Sequence, residues 1–228
     1  MGEPGGTTKT LFEPVRDVRL FHWVETTVAK RWVGALLALY AFATDRLAGW
    51  HTMNFGMRSL LDEPAHLATT LVIFGALIRI RKTPPDQRFG WTMLACSVLI
   101  DLDHLPRQFG SEVLTNGTSR PYTHALWTVL ALTLAWVTAR FLMIRFNRLG
   151  PATLELILSG AAWGVAAHFV RDIATAPMSF WWPATNLAVE VPYWSFVVGL
   201  AIAVIIGPVR WHPRSPRTRT TRIGRGVR

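Results

Sequence analysis

The chain has 228 residues, of which half are hydrophobic and only 17% are charged, a balance that favours a helical membrane protein over a soluble domain. The single cysteine, Cys96, excludes an intramolecular disulfide and a cysteine-based metal site. The formal net charge of +10 comes largely from arginines beyond Pro208. Next to a hydrophobic helix, such a tail is typical of the cytoplasmic side and of contact with anionic headgroups, and we favour this over nucleic-acid binding.

The composition divides the chain into three parts. Residues 1–30 are predicted to form a cytoplasmic N-terminal segment, and no cleavable signal peptide is expected. Apolar residues at helical spacing between Leu11 and Val28 indicate an interfacial helix in this segment. Residues 31–209 are predicted to form an all-α, polytopic membrane helical bundle. Residues 210–228 are predicted to be a disordered, arginine-rich cytoplasmic tail.

Six segments approach the length of about 20 residues that crosses a bilayer. They are residues 32–50, 66–80, 89–102, 124–146, 152–174 and 191–209. Lys and Arg occur before the first segment, in the loops between the second and third and between the fourth and fifth segments, and after the sixth. Residues 174–209 contain neither Lys nor Arg. Because short cytoplasmic loops are rich in these residues, both termini are predicted to be cytoplasmic.

Residues with metal-binding chemistry all fall at the opposite, extracytoplasmic ends of these segments. His66 opens the second span and His124 opens the fourth. The third span closes with Asp101, Asp103 and His104, and the fifth with His168 and Asp172. This coincidence is independent of the topology, which was assigned from Lys and Arg alone.

The spacing and the surroundings of these residues favour a metal site. His168 and Asp172 share one helical face, and so do Asp101 and His104, with Asp103 within reach if the helix end unwinds. Carboxylates at helix C-termini beside hydrocarbon are costly unless a cation compensates them. A single His or Asp at a helix end is more commonly an interfacial or capping residue than a metal ligand. The prediction of a metal site therefore depends on all these residues lying at the same ends of the helices.

The nature of the side chains narrows the choice of metal. His and Asp ligands suit zinc, manganese or iron better than magnesium. We therefore expect one or two divalent metal ions per chain, and we expect zinc or manganese in preference to other metals. His66 and His124, near predicted helix N-termini, are expected to favour the neutral imidazole that binds metal.

Four short motifs resemble, in the same order, those of the LexA-regulated inner-membrane, metal-dependent hydrolases (YdjM-like). They are His66; Ile-Asp-Leu-Asp-His at 100–104; Ser-Arg-Pro-Tyr-Thr-His-Ala at 119–125; and His168 to Asp172 with Thr175, Trp182 and Pro183. Two positions depart from the family pattern, since Ser119 replaces a His and Ala125 replaces a Ser. The resemblance implies a multi-pass inner-membrane hydrolase.

The resulting hypothesis is a membrane-embedded, metal-dependent hydrolase of an ester or phosphoester at the outer face. Asp103 is predicted to be the general base, Arg120 to stabilise negative charge, and His124 to act with them, while Arg171 could contact an anionic oxygen or a headgroup. Aromatic residues between 176 and 194 favour a lipid-linked substrate, although a soluble phosphoester remains open. The alternatives are a metal transporter and a non-catalytic, metal-stabilised scaffold, and the oligomeric state stays open.

Overall fold

The fold is described from a computed structural model that covers residues 18–49, 55–81, 85–115, 120–146 and 149–207. These residues form eight α-helices in this order: α1 (Val18–Val28), α2 (Arg31–Ala48), α3 (Phe55–Ile80), α4 (Gln87–Leu99), α5 (Leu105–Gln108), α6 (Leu126–Phe146), α7 (Leu149–Thr175) and α8 (Tyr193–Ile205). Among them, the only extended pairing is an isolated bridge between Met178 and Val189. The all-α prediction is therefore confirmed.

Each predicted span contains one α-helix, but only some of these helices are long and apolar enough to cross a membrane. Three segments are long and apolar enough to cross a bilayer, namely Leu60–Ile80, Leu126–Phe146 and Thr153–Thr175, while Tyr193–Ile205 is apolar but shorter. The number of crossings and their orientation remain predictions. The arginine-rich tail and the first part of the predicted interfacial helix lie outside the described residues; α1 accounts for the rest of that helix.

Helix α3 begins more than two turns earlier than predicted. It starts at Phe55 and includes Asp62, Glu63 and Pro64. These residues interrupt the apolar pattern, and a proline is normally unfavourable inside a helix, so the sequence favours a start after them. The prediction that His66 opens the helix is therefore wrong, because His66 lies well inside α3.

A ridge of residues four positions apart on α7 packs along α4. Gly160 and Gly164 form its first half, and a Cβ atom added to them would lie 2.5 Å from the Phe89 carbonyl oxygen and 2.3 Å from the Met93 carbonyl oxygen, respectively. Such small residues at a spacing of four allow two helix backbones to approach closely. Since His168 and Asp172 continue the same ridge, this packing brings both side chains to the end of α4.

Two of the buried apolar clusters lie on either side of α3. The cluster next to α1 and α4 contains Phe74, Ile78, Phe89 and Met93. The cluster next to α2 and α8 contains Ala68, Val72, Phe196 and Leu200. Helix α6 differs, because almost none of its apolar span is buried in the bundle. A helix of this kind is expected to face lipid.

Candidate metal centre

The end of α4 unwinds, as the hypothesis for Asp103 requires. Helix α4 stops at Leu99 and continues as a 3₁₀ turn over Ile100–His104, which presents Asp101, Asp103 and His104. Asp101 lies at the centre of the cluster. Its carboxylate oxygens lie 3.1 Å from Nε2 of His124, 3.5 Å from Nε2 of both His104 and His168, and 4.0 Å from Nε2 of His66. Four imidazole nitrogens thus converge on one carboxylate.

His124 lies in a short 3₁₀ turn, Tyr122–His124, just before α6. Its Nδ1 atom is 3.1 Å from Oδ2 of Asp103, and the Thr123 hydroxyl donates to the same carboxylate oxygen. The ring of Tyr122 stacks on Trp182 with 4.3 Å between centroids, so the 176–192 loop covers the turn. Asp103 thereby orients His124, an arrangement that is common around metal-bound histidines.

The ionisation of His124 differs from the sequence-based expectation. Burial lowers its pKa, but hydrogen bonds with Asp101 and Asp103 act in the opposite direction and raise the pKa to about 9. These carboxylates therefore outweigh the helix N-terminus that was expected to favour a neutral ring, and a metal that binds Nε2 of His124 has to displace the proton there. In contrast, burial and the neighbouring His124 lower the pKa of His104.

His168 is completely buried on α7, and its surroundings define its tautomer. Its Nδ1 atom lies 2.8 Å from the carbonyl oxygen of Ser97. Because a carbonyl can only accept a hydrogen bond, Nδ1 carries a proton and the neutral ring has its lone pair on Nε2. That Nε2 atom lies 3.0 Å from Oδ2 of Asp172 and 3.3 Å from Nε2 of His124.

His66 joins the cluster from α3. Its ring is fully buried and stacks on His168 with 3.7 Å between centroids. Its Nε2 atom lies 3.4 Å from Oδ1 of Asp172. Neither ring nitrogen of His66 has a hydrogen-bond partner among the described residues, and the same holds for Oδ2 of Asp101 and Oδ1 of Asp172. Buried polar atoms without partners are costly, and a cation among them would remove that cost.

The distances from the two histidine nitrogens to their neighbouring donor atoms match the requirements of a small divalent cation. Nε2 of His124 and Nε2 of His168 lie 3.0–3.5 Å from each other and from the nearest oxygens of Asp101 and Asp172. Ligands about 2.0–2.1 Å from a tetrahedral zinc lie roughly 3.3 Å apart. The donors of His124, His168 and Asp172 therefore fit one metal ion, and those of His66, Asp101 and His168 form a second group that could hold a further ion.

All seven predicted ligands come together in the structure. Their donor atoms form three overlapping groups: Asp101, Asp103, His104 and His124; His66, Asp101 and His168; and His124, His168 and Asp172. The groups share ligands, because Asp101, His124 and His168 each belong to two of them. One continuous cluster therefore contains every predicted ligand.

Two arginines flank the cluster in different ways. Arg120 donates to Oδ2 of Asp172 at 2.7 Å and stays partly accessible. Arg171 is buried and forms ion pairs with Asp45 at 2.5 Å and Asp62 at 2.6 Å. The bundle interior thus holds Arg171, whereas Arg120 lies where a bound anion would contact it.

Sequence reasoning missed three acidic residues near the cluster. Asp45 binds Arg171 and accepts a hydrogen bond from the Tyr193 hydroxyl at 2.7 Å. Asp62 lies 3.8 Å from His66, and Glu63 interacts directly with Asp101. Asp62 and Glu63 precede His66 by four and three positions, so the helical periodicity of α3 could have revealed them once its early start was recognised.

The fold and the cluster define a helical membrane protein with a buried His/Asp centre. Over residues 61–223, the chain matches the family model described as YdjM inner membrane protein. The chain belongs to this family of inner membrane proteins, as its motifs predicted. No curated protein and no solved structure matches the chain. Of the two departures from the family pattern, Ala125 is buried beside His124, and Ser119 lies outside the described residues.

Proposed function

We propose that the protein is a metal-dependent hydrolase of an ester or phosphoester, with its site at the extracytoplasmic face of the inner membrane. The observation that carries this proposal is the set of three donors from His124, His168 and Asp172, which lie 3.0–3.5 Å from one another. Asp101 lies 3.1 Å and 3.5 Å from the same two histidine nitrogens. A carboxylate and a guanidinium that are not needed as ligands, those of Glu63 and Arg120, lie beside these donors. A purely structural metal site does not require either.

When bound, a divalent cation would lower the pKa of a coordinated water and polarise the bond to be broken. The chain's own residues supply the remaining chemistry. Glu63 lies next to Asp101, and its buried Oε2 has no hydrogen-bond partner among the described residues, so we assign it to accept the proton of the attacking water. Asp103, the base predicted from the sequence, is the second candidate, since its Oδ2 is engaged by Thr123 and His124 but its Oδ1 has no hydrogen-bond partner among the described residues.

Arg120 and the two oriented histidines complete the assignment. The Arg120 guanidinium, 2.7 Å from Asp172, would stabilise the negative charge that develops on the ester or phosphoryl oxygens. Asp103 and the Ser97 carbonyl hold the Nδ1 atoms of His124 and His168, respectively, and thus direct both Nε2 atoms at the ion. Hydrolysis would end when the bond to the leaving alkoxide breaks and the alkoxide takes up the proton that Glu63 accepted from the attacking water.

The first test measures metal content and activity together. Wild-type protein, purified in detergent, is analysed by mass spectrometry for zinc, manganese and iron and is assayed on a panel of soluble and lipid-linked phosphoesters and esters. The variants are His168→Ala and Asp101→Asn, with His22→Ala as a matched control, because His22 is exposed on α1. Stoichiometric metal and activity are expected in wild type and control, and both are lost in the two site variants.

The same data separate the alternatives from the proposal. Bound metal without activity on any member of the panel would indicate the metal-stabilised scaffold. Metal that exchanges across a vesicle membrane in the absence of hydrolysis would indicate a transporter. Metal retained at full occupancy in His168→Ala and Asp101→Asn would show that the centre is not the one assigned here.

A further inference from the structure

A polar cavity and an apolar groove meet beside the metal centre. The cavity has a volume of about 490 Å³ and lies among α2, α3, α7 and α8, with Arg120 in its wall. The groove has a volume of about 430 Å³ and runs between α2 and α8. Both volumes fall in the range of roughly 300–1,000 Å³ that is usual for small-molecule sites.

The cavity adjoins the centre through two residues of its wall. Arg120 contacts the ligand Asp172 at 2.7 Å, and Asp62 lies 3.8 Å from His66. A chemical group bound in the cavity would therefore be separated from the proposed metal ligands only by the side chains of Arg120 and Asp62. The groove has no such contact, because its lining consists entirely of apolar residues.

The cavity carries an uncompensated positive charge at its rim. Of its three arginines, Arg171 is bound by Asp45 and Asp62, and Arg120 by Asp172. Arg46 lies over the ring of Tyr193, 4.7 Å from its centroid, and none of the ion pairs between described residues includes it. A guanidinium held on an aromatic face still directs its N–H groups at an anionic partner.

The groove has the dimensions of one leaflet. Its lining extends over residues 35–42 of α2 and 196–205 of α8, which at 1.5 Å per residue is roughly 10–14 Å. The hydrocarbon core of a bilayer is about 30 Å thick, so the groove spans about half of it. Small side chains on both walls, Ala35, Ala38 and Ala201, give it depth.

The two spaces are neighbours across a layer of aromatic rings. Phe42 lines the groove and Arg46, one turn further along α2, lines the cavity, with its guanidinium 5.1 Å from the Phe42 ring. On α8, Tyr193 lines the cavity and Phe196 lines the groove, and their rings are 5.7 Å apart. An apolar chain in the groove would thus end where the charged cavity begins.

We propose that the groove between α2 and α8 holds one hydrocarbon chain of an anionic membrane lipid, whose headgroup occupies the polar cavity against Arg46. The headgroup then lies beside Arg120 and the metal centre. That this lipid is the substrate rests on the proposed hydrolase function, whereas its binding does not. The apolar lining, the single-leaflet length and Arg46, which forms no ion pair with another described residue, together select an anionic lipid as the occupant.

The test counts bound lipid without relying on turnover. Native mass spectrometry of the detergent-purified protein is titrated with palmitoyl-oleoyl phosphatidylglycerol and, in parallel, with phosphatidylcholine of the same chains. Ala201→Trp fills the groove, Arg46→Gln removes the cation, and Ala131→Trp is the matched control, because Ala131 is exposed on the apolar helix α6. Melting temperatures verify that the variants fold. If Ala201→Trp does not fold, Arg46→Gln still tests the proposal.

The expected result is one tightly bound phosphatidylglycerol in wild type and in Ala131→Trp. Ala201→Trp is expected to weaken this binding roughly tenfold or more, since losing the burial of two methylene groups already has that effect. Arg46→Gln should reduce the preference for phosphatidylglycerol over phosphatidylcholine. Equal retention of lipid by Ala201→Trp and Ala131→Trp overturns the proposal, and so does the loss of a dimer in Ala201→Trp, which would assign the groove to a second copy of the chain.

Failure of the proposed hydrolase function would look different. Specific binding of phosphatidylglycerol without hydrolysis of any phosphoester supports the groove and contradicts the enzyme. Hydrolysis that persists while Ala201→Trp binds lipid as well as wild type supports the enzyme and contradicts the groove.

Discussion

Nδ1 of His168 donates a hydrogen bond to the Ser97 carbonyl oxygen at 2.8 Å, across the interface between α7 and α4. This contact couples helix packing to metal binding, because it directs the Nε2 lone pair of His168 at the other ligands. It exists only because α7 and α4 lie close together along the ridge that begins with Gly160 and Gly164.

Gly164→Ala is expected to weaken metal binding although Gly164 has no side chain that could bind a metal. Its new Cβ would lie 2.3 Å from the Met93 carbonyl oxygen, which forces α4 away from α7 and costs about 1–3 kcal/mol. Gly199→Ala is the control, because nothing lies within 4 Å of a Cβ at that position of α8. Competition with a metal chelator should show lower affinity in Gly164→Ala alone, and the melting temperature should fall there and stay equal or rise in Gly199→Ala. Equal affinity in both variants would contradict the coupling.

Glu63→Gln is expected to separate catalysis from metal binding. If Glu63 accepts the proton of the attacking water, kcat should fall by about 10²–10⁴-fold, while the metal content stays at the wild-type level. Glu155→Gln serves as the control, since Glu155 pairs with Trp136 and Arg140 away from the centre. Loss of metal in Glu63→Gln would instead make Glu63 a ligand.

Arg120→Gln is expected to lower kcat/KM by about 10²–10³-fold, because it removes a donor for developing negative charge. Metal content should not decrease, since the carboxylate of Asp172 loses its competing partner. Arg140→Gln is the matched control, because Arg140 is largely exposed in its pair with Glu155. Both variants are assayed by steady-state kinetics and metal analysis, and unchanged kinetics in Arg120→Gln would rule out its assigned role.

Arg171→Met is expected to be strongly destabilising. It leaves the buried carboxylate of Asp45 without its cationic partner, and breaking a buried ion pair in this way costs about 3–5 kcal/mol. Adding Asp45→Asn should recover part of the loss, because it removes the uncompensated charge. Thermal unfolding followed by tryptophan fluorescence measures both, and a double variant no more stable than Arg171→Met would speak against the pairing.

Glu25→Gln is expected to stabilise the protein at neutral pH but not in acid. Burial raises the pKa of Glu25 on α1 above its ordinary value, although His22 opposes this. The folded state then holds the proton more tightly than the unfolded state, so its ionisation costs stability as the pH rises through the raised pKa. The difference in melting temperature between Glu25→Gln and wild type should appear above the ordinary pKa of 4.5 and vanish below it. Glu112→Gln, at an exposed position, should show no such change.

The sequence alone determined the helical class, the positions of the six main helices and the seven candidate ligands. Apolar periodicity and length specify helices locally, and the order of the His and Asp motifs at helix ends could be compared with a family without coordinates. From the sequence, Asp103 was expected to reach the site only if the helix end unwound, and α4 does end at Leu99 before a 3₁₀ turn.

Only the tertiary structure decided how these residues meet. The early start of α3, and with it Asp62 and Glu63, was hidden because Pro64 and two carboxylates disrupt the apolar pattern that identifies a span. The roles of Arg171 and Asp103 depended on partners distant in the chain: Asp45 lies 126 positions from Arg171, and His124 lies 21 positions from Asp103. Periodicity reports which face of a helix is apolar, but not which helix packs against it, so contacts between distant residues appear only once the bundle is assembled.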